Sequence, residues 1–308
     1  MTAPKANLQA SIHRRLLDGA RKRGEDFQLT LLRYGAERLL FRLGRSPHAR
    51  DFVLKGAMLF LLWPDQLYRP TRDVDLLGFG EPTPARLRGV FANVCSQECP
   101  EDGLHFDANS IECQPIRTIQ DYGGMRVTLV ASLGKAKIPL QIDIGFGDVI
   151  TPGPRDTTFP TLLPLAAPQI RVYPLETVVA EKFDAVIRLG RAISRMKDFH
   201  DLCVLATRCR FDGELLTRAV QATFRRRHAD LSLATEVLTP EFFTDSALET
   251  RWRAFVKGRP VGSGAEPEFS GVGSRLLPFL TPLAQAAGGA VTLVSWEAAS
   301  GWKTRVAD

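Results

Sequence analysis

The sequence predicts an α+β protein: a mixed β-sheet flanked by helices, followed by a largely helical C-terminal lobe. Three observations lead there. Apolar residues recur at helical spacing over the first 43 positions and again through most of 175–257. Between these regions, 105–144 alternates apolar and polar side chains with the period of two that marks strands. A stretch rich in Pro and Thr, 151–170, is the best linker candidate and divides the chain into 1–160 and 161–308. A length of 308 residues suits two such domains, and 44% hydrophobic content is ample for a buried core.

Each element has its own signal. Residues 7–24 read as a basic amphipathic helix, and 27–43 as a second helix, with Leu29, Leu32, Ala36, Leu39 and Leu40 on one face and Gly44 as a stop. "FVLKG" fits a short strand or a helix end, "AMLFLLW" a buried helix, and a turn follows at Pro64-Asp65. "DVDLLGF" is a strand closed by glycine, and "PARLRGVFANVCSQEC" a helix. Strands are expected in "LHFDANSIEC", "MRVTLVASL" and "KIPLQIDIGFGD". Helices follow at 175–189, 195–207, 212–228 and 240–257, then a loop over 259–274 and a last helix around 275–287. There is no internal repeat.

Composition excludes several function classes. No apolar run reaches the roughly 18–20 residues that span a bilayer. The N-terminal stretch lacks an apolar signal core, and Asp18, Glu25 and Asp26 argue against a transit peptide, so a cytoplasmic protein is expected. Five cysteines without paired spacing indicate reduced thiols; Cys95, Cys99, His105 and Cys113 match no common zinc knuckle. A net charge of +6 favours an anionic partner, though only weakly. No G-x-S-x-G, P-loop or H-E-x-x-H is present. "GFG" at 78–80 and 145–147 ends strands and forms no dinucleotide fingerprint.

The informative feature is "DVDLL". Along a strand, Asp73 and Asp75 project from one face while Val74 and Leu76 take the other. Two carboxylates so placed repel unless one is protonated or a cation lies between them, and Mg²⁺ is a hard ion that takes oxygen ligands alongside substrate phosphates. In "IPLQIDIGFGD" the apolar face is Ile138, Leu140, Ile142 and Ile144, leaving Gln141 and Asp143 opposite. If that strand pairs near "DVDLL", Asp143 is a third carboxylate on the open face, a layout suited to metal-assisted phosphoryl or nucleotidyl transfer. A solvated D-x-D pair is the plainer alternative. Upstream, Lys55-Gly56-Ala57 offers a glycine where backbone N–H groups can approach a phosphate; it also fits an ordinary strand-to-helix turn.

Two blocks, "LKGAMLFLLW…RPTRDVDLL" and "PLETVVAEKFDAVIRLGRAISRMKDFHDL" (174–202), together resemble the AbiEii/AbiGii-type nucleotidyltransferase toxins of the DNA polymerase β-like superfamily. The resemblance covers roughly 50–210. It implies a nucleotidyltransferase-type sheet on which Asp73 and Asp75, with Asp143, hold Mg²⁺ and the NTP. Lys55, Gly56, Ala57, Thr71 and Arg72 then lie on the nucleotide. Lys182 matches the lysine of the second block, with Asp198 and Asp201 in its "KDxxDL" step; the sequence leaves open which of those two acts. Ala57 departs from the Gly-Ser or Gly-Gly of many nucleotidyltransferases, which removes one possible phosphate contact. On the pattern alone, Lys182 borders the stripe Val178, Val179, Phe183, Val186 and Ile187, where a lysine also snorkels to water. Without the family match, a local salt bridge of Asp198 and Asp201 with Arg195 or Lys197 is the reading the pattern favours.

The resemblance further implies transfer of a nucleoside monophosphate to an RNA 3′ end, with tRNA as the leading acceptor. Asp143 or another carboxylate would assist deprotonation of the acceptor hydroxyl. A cognate antitoxin encoded nearby is also implied, and no membrane partner. His13-Arg14-Arg15, Arg21-Lys22-Arg23 and Arg225-Arg226-Arg227-His228 are candidate phosphate contacts; the last also suits a helix C-terminus. A protein-modifying enzyme of the same fold and a catalytically silent binding module are the alternatives.

Overall fold

The structure, a computed structural model, describes residues 3–63, 71–116, 123–257 and 265–305. The expected turn at Pro64-Asp65 and part of the expected loop at 259–274 lie outside the described residues. The chain forms two compact units: Met1–Asp148 with Pro154–Tyr173, and Val149–Gly153 with Pro174–Asp308.

The first unit opens with helices α1 (Ala3–Arg23) and α2 (Phe27–Arg45). Asp26 caps α2 by accepting the Leu29 N–H at 2.9 Å. Then come β1 (Phe52–Lys55), a 3₁₀ turn over Gly56–Leu62, β2 (Asp73–Gly78) and α3 (Pro84–Cys95), capped by Thr83 with Pro84 at its first position. Strands β3 (Leu104–Ile116), β4 (Gly124–Leu133) and β5 (Ala136–Phe146) form a meander, and β6 (Arg155–Thr158) and β7 (Gln169–Val172) complete the sheet. Its order is β3-β4-β5-β2-β1-β7-β6. β2 runs parallel to β5 and antiparallel to β1, so the sheet is mixed, as the sequence predicts.

The period-two pattern sorts the two faces. Ile138, Leu140, Ile142 and Ile144 are buried, as are Val74 and Leu76, while Gln141, Asp143, Asp73 and Asp75 lie partly open on the other side. Helix α2 covers the apolar face: Gly35 stands so close to Ile138 and Leu140 that a Cβ there would come within 3.0 and 3.2 Å of their side chains. Between α2 and the short helix before β3, Asp102 is wholly buried and takes Arg42 Nη1 at 2.6 Å, Arg38 Nε at 3.2 Å and the Leu104 N–H at 3.0 Å. Removing one member of such a network strands a buried charge, at a cost of about 3–5 kcal/mol.

Two expectations change here. "AMLFLLW" is buried over Ala57–Leu61 but adopts a 3₁₀ turn, Gly56–Leu62, that starts at a positive-φ glycine. The stretch 151–170 carries β6 and the start of β7 within the first unit; its prolines fall outside the strand residues that pair.

The second unit is mainly helical: α4 (Leu175–Leu189), α5 (Met196–Arg208), the short β8 (Phe211–Asp212), α6 (Gly213–Arg226), α7 (Ala234–Val237), α8 (Pro240–Phe243), α9 (Ser246–Lys257) and α10 (Phe269–Ala287). Phe199, Phe242, Phe243, Phe269 and Trp252 form its aromatic core, with Phe199 and Phe269 edge to face at 5.0 Å. The sequence reading did not foresee the hairpin of β9 (Thr292–Glu297) and β10 (Gly301–Arg305), which joins β8 in a three-stranded sheet. Trp302 stacks on Phe279 at 5.7 Å to hold it down. Among the described residues no helix is long and apolar enough to cross a membrane.

Candidate active site

Cross-strand register builds the site. Lys55 pairs with Asp75 between β1 and β2, Asp75 with Asp143 between β2 and β5, and Asp143 with Arg126 between β5 and β4. Residues in register share a face, so four neighbouring strands present one row: Lys55, Asp75, Asp143, Arg126. Asp73 lies one pleat away, paired with Gln141.

An ion pair anchors each end of the row. Arg126 grips Asp143 with a two-point fork, Nε to Oδ1 and Nη2 to Oδ2, both at 2.8 Å. Gln141 Nε2 adds a longer donation to Oδ2 at 3.4 Å. The hydrogen bonds it donates to Asp143 chiefly, then the charges of Asp143 and Asp73, hold the Arg126 guanidinium above its ordinary pKa despite some desolvation. At the other end, Lys55 Nζ donates to Asp148 Oδ2 at 3.0 Å and lies 5.6 Å from the centre of the Tyr173 ring.

The turn after β1 fits the row closely. Gly56 has φ +73°, the left-handed region, and a Cβ there would sit 2.6 Å from Asp75 Cγ. Ala57 is buried. Thr71 Oγ1 braces the start of β2, accepting the Asp73 N–H at 3.4 Å and donating to the Asp73 carbonyl at 3.3 Å. Arg72 is exposed.

The donors suit a hard divalent cation in type: carboxylates on adjacent strands beside a glycine that leaves them room. Yet among the described residues no three His, Cys, Asp or Glu side chains stand close enough to hold a metal ion together. The sheet brings Asp75 and Asp143 into register, but both Asp143 oxygens are engaged by Arg126.

Lys182, Asp198 and Asp201 belong to the second unit. Lys182, on α4, donates to Asp198 Oδ1 at 3.0 Å and Asp201 Oδ2 at 2.8 Å, both on α5. The Lys182 side chain is 13% exposed and both aspartate side chains are buried. Burial alone would depress the Lys182 pKa; Asp201 and Asp198 outweigh it and hold the value above the usual lysine range. Arg195 Nε adds an ion-pair contact to Asp198 Oδ2 at 2.8 Å, without the alignment of a hydrogen bond. Both acids of the "KDxxDL" step thus grip the lysine, and the expected local pair with Arg195 forms as well.

Arg126 and Asp148 escaped the sequence reading. Arg126 was in principle legible, since a two-residue turn at Gly134-Lys135 fixes it opposite Asp143. Of the basic clusters, Arg227 does not face outward: it pairs with Glu181 at 3.2 Å and Asp184 at 2.9 Å and is only 11% exposed. Arg15, Arg21 and Lys22 are exposed on α1, while Arg14 and Arg23 pair with Asp18 and Glu25.

A family profile described as nucleotidyl transferase AbiEii toxin, type IV toxin–antitoxin system, matches residues 38–272. The match spans the carboxylate row and the Lys182 cluster alike. Two solved structures from Helicobacter pylori are similar. JHP933 is 14% identical and covers 84% of this chain and 94% of its own, with a TM-score of 0.48. A chain assigned provisionally as a nucleotidyltransferase is also 14% identical, covering 85% and 95%, with a TM-score of 0.47. No protein of curated function matches.

Proposed function

The chain belongs to the AbiEii family of nucleotidyltransferase toxins of type IV toxin–antitoxin systems, and from that membership we propose that it transfers a nucleoside monophosphate from an NTP to the 3′ end of an RNA, blocking translation. The acceptor we favour is the tRNA acceptor stem, and the site of action the cytoplasm. A cognate antitoxin encoded nearby is the further partner. The observation that carries this reading is the in-register pair Asp75 and Asp143 on the open face of the sheet, flanked by Lys55 and Arg126.

In the reaction, the acceptor hydroxyl oxygen bonds to the α-phosphorus and the bond from that phosphorus to the α,β-bridging oxygen breaks. Pyrophosphate leaves with the electron pair, and the hydroxyl proton passes to a carboxylate of the row. A bound Mg²⁺ would screen the triphosphate and align it for in-line attack. Asp73 and Asp75 are the residues to hold it. Lys55 and the Gly56 turn orient the phosphates by charge and close backbone approach, with Thr71 fixing the strand that carries the aspartates. Lys182, gripped by Asp198 and Asp201, is the second unit's candidate for neutralising phosphate charge.

The test incubates the purified full-length protein with Mg²⁺, total RNA and each α-labelled NTP in turn. Labelled RNA that disappears in Asp73→Ala supports the reading. Label on lysate protein instead would favour the protein-modifying alternative. RNA affinity without labelling, unchanged in Asp73→Ala, would favour a silent binding module.

A further inference from the structure

We propose that Arg195 is the cation through which the second unit binds a phosphate group of the substrate, giving up its contact with Asp198 to do so. The inference rests on the nucleotidyl-transfer reading and adds to it a phosphate-binding residue beyond Lys182, Asp198 and Asp201.

The cluster is layered from inside outward. Lys182, 13% exposed, commits two of its N–H donors to Asp198 and Asp201. Arg195 is 51% exposed and reaches inward to Asp198 Oδ2 at 2.8 Å, so it is the more accessible cation of the two. Its hold there is poor. The approach lacks hydrogen-bond alignment, and that buried oxygen accepts no hydrogen bond among the described residues. A pair in which one side chain is half in water is weak. Release does not strand the carboxylate, because Lys182 Nζ stays 3.0 Å from Asp198 Oδ1. The freed guanidinium presents a planar fork of N–H donors that matches phosphate oxygens.

The backbone that carries Arg195 is fixed from beneath. Ile193 and Met196 are buried, and Arg251 Nη1 on α9 donates to the Arg191 carbonyl at 2.8 Å and the Ile193 carbonyl at 3.1 Å. With those two side chains turned inward, Arg191, Arg195 and Lys197 are all exposed, three cations on one short connection into α5. Such a cluster raises the local concentration of anions. Arg191 is tied to Asp245. Of the three, only Arg195 touches the Lys182 cluster among the described residues, which singles it out as the one to meet a phosphate at that place.

The test is calorimetric titration of the full-length protein, without turnover, with inorganic tripolyphosphate and separately with unfractionated tRNA. The two arms distinguish a nucleotide phosphate from an RNA phosphate. Arg195→Gln is expected to weaken binding of one probe by about tenfold to a hundredfold, and Arg195→Lys to recover part of the loss. Arg218→Gln removes the same charge from an exposed pair on α6 and should change nothing. Unchanged affinity for both probes in Arg195→Gln, an equal loss in Arg218→Gln, or a wild type that binds neither probe would overturn the inference. Should Arg195→Gln not fold, Arg195→Lys decides: it is expected to bind more weakly than the wild type, because an ammonium cannot form the fork, and equal affinity overturns the inference. Label transfer by the wild type is scored apart. Transfer with unchanged binding removes Arg195 alone, whereas altered binding without transfer leaves the phosphate site and removes the nucleotidyl-transfer reading.

Discussion

Gly56 and Asp75 stand in contact across two paired strands, with no room at position 56 for even a methyl group: a Cβ would fall 2.6 Å from Asp75 Cγ. The backbone there has φ +73°, which an L side chain adopts only at a cost of about 1–3 kcal/mol. Gly56→Ala is therefore expected to lower the melting temperature by roughly 2–8 °C and to turn the Asp75 carboxylate aside. Nucleotide labelling should fall by about 10²-fold, as misplacement of a reacting group by an ångström does. Thermal melting and the labelling assay, run on the same preparation, check both parts.

Asp75→Asn keeps shape and removes charge at the centre of the row. Labelling is expected to drop by roughly 10²–10³-fold while the melting curve stays close to wild type, since Asp75 is only half-buried. A variant that folds and still labels at the wild-type rate would rule out Asp75 as a working carboxylate.

Lys182 is as much a structural residue as a candidate for catalysis. Lys182→Met leaves Asp198 and Asp201 buried without their shared cation, and the expected loss is about 3–5 kcal/mol. Neutralising all three in Lys182→Met/Asp198→Asn/Asp201→Asn should recover part of it. Urea denaturation measures this directly. Activity lost in Lys182→Met with an unshifted midpoint would mean that the lysine serves only the reaction.

Glu37 on α2 gives the first unit a pH dependence. Burial, opposed by the Leu162 N–H and by Arg38, pushes its carboxyl up to about 7 from an ordinary 4.5. A raised folded-state pKa means that the stabilising contribution is complete below about 4.5 and is lost as pH rises through about 7. That interval corresponds to about 3 kcal/mol at most. Glu37→Gln, which can still accept the Leu162 N–H bonded at 2.7 Å, should flatten stability across that range. Denaturation midpoints at pH 4.5, 6 and 7.5 decide it.

Much of this was legible in the sequence. Alternation in "IPLQIDIGFGD" placed Asp143 on the face opposite Ile142, and the period-3.6 pattern placed α4 at 175–189, the range observed. The partners of the carboxylates were harder to see. Lys55 and Asp148 are 93 residues apart and meet only because β1 and β5 flank β2, an order that local patterning does not encode. The hairpin β9–β10 escaped for a different reason. Only Leu293 and Trp296 of β9 are buried, too sparse an alternation to stand out. Its anchor, Trp302 on Phe279, is a contact between distant segments.

The parallel join between β2 and β5 has a consequence for the growing polypeptide. Asp75 and Asp143 face each other only after the whole meander between them has been synthesised and has closed back on β2, a slow, entropically costly loop. An incomplete chain emerging from the ribosome, with β2 made and β5 not yet, therefore carries only half of the acid pair, and the row across the four strands is assembled last.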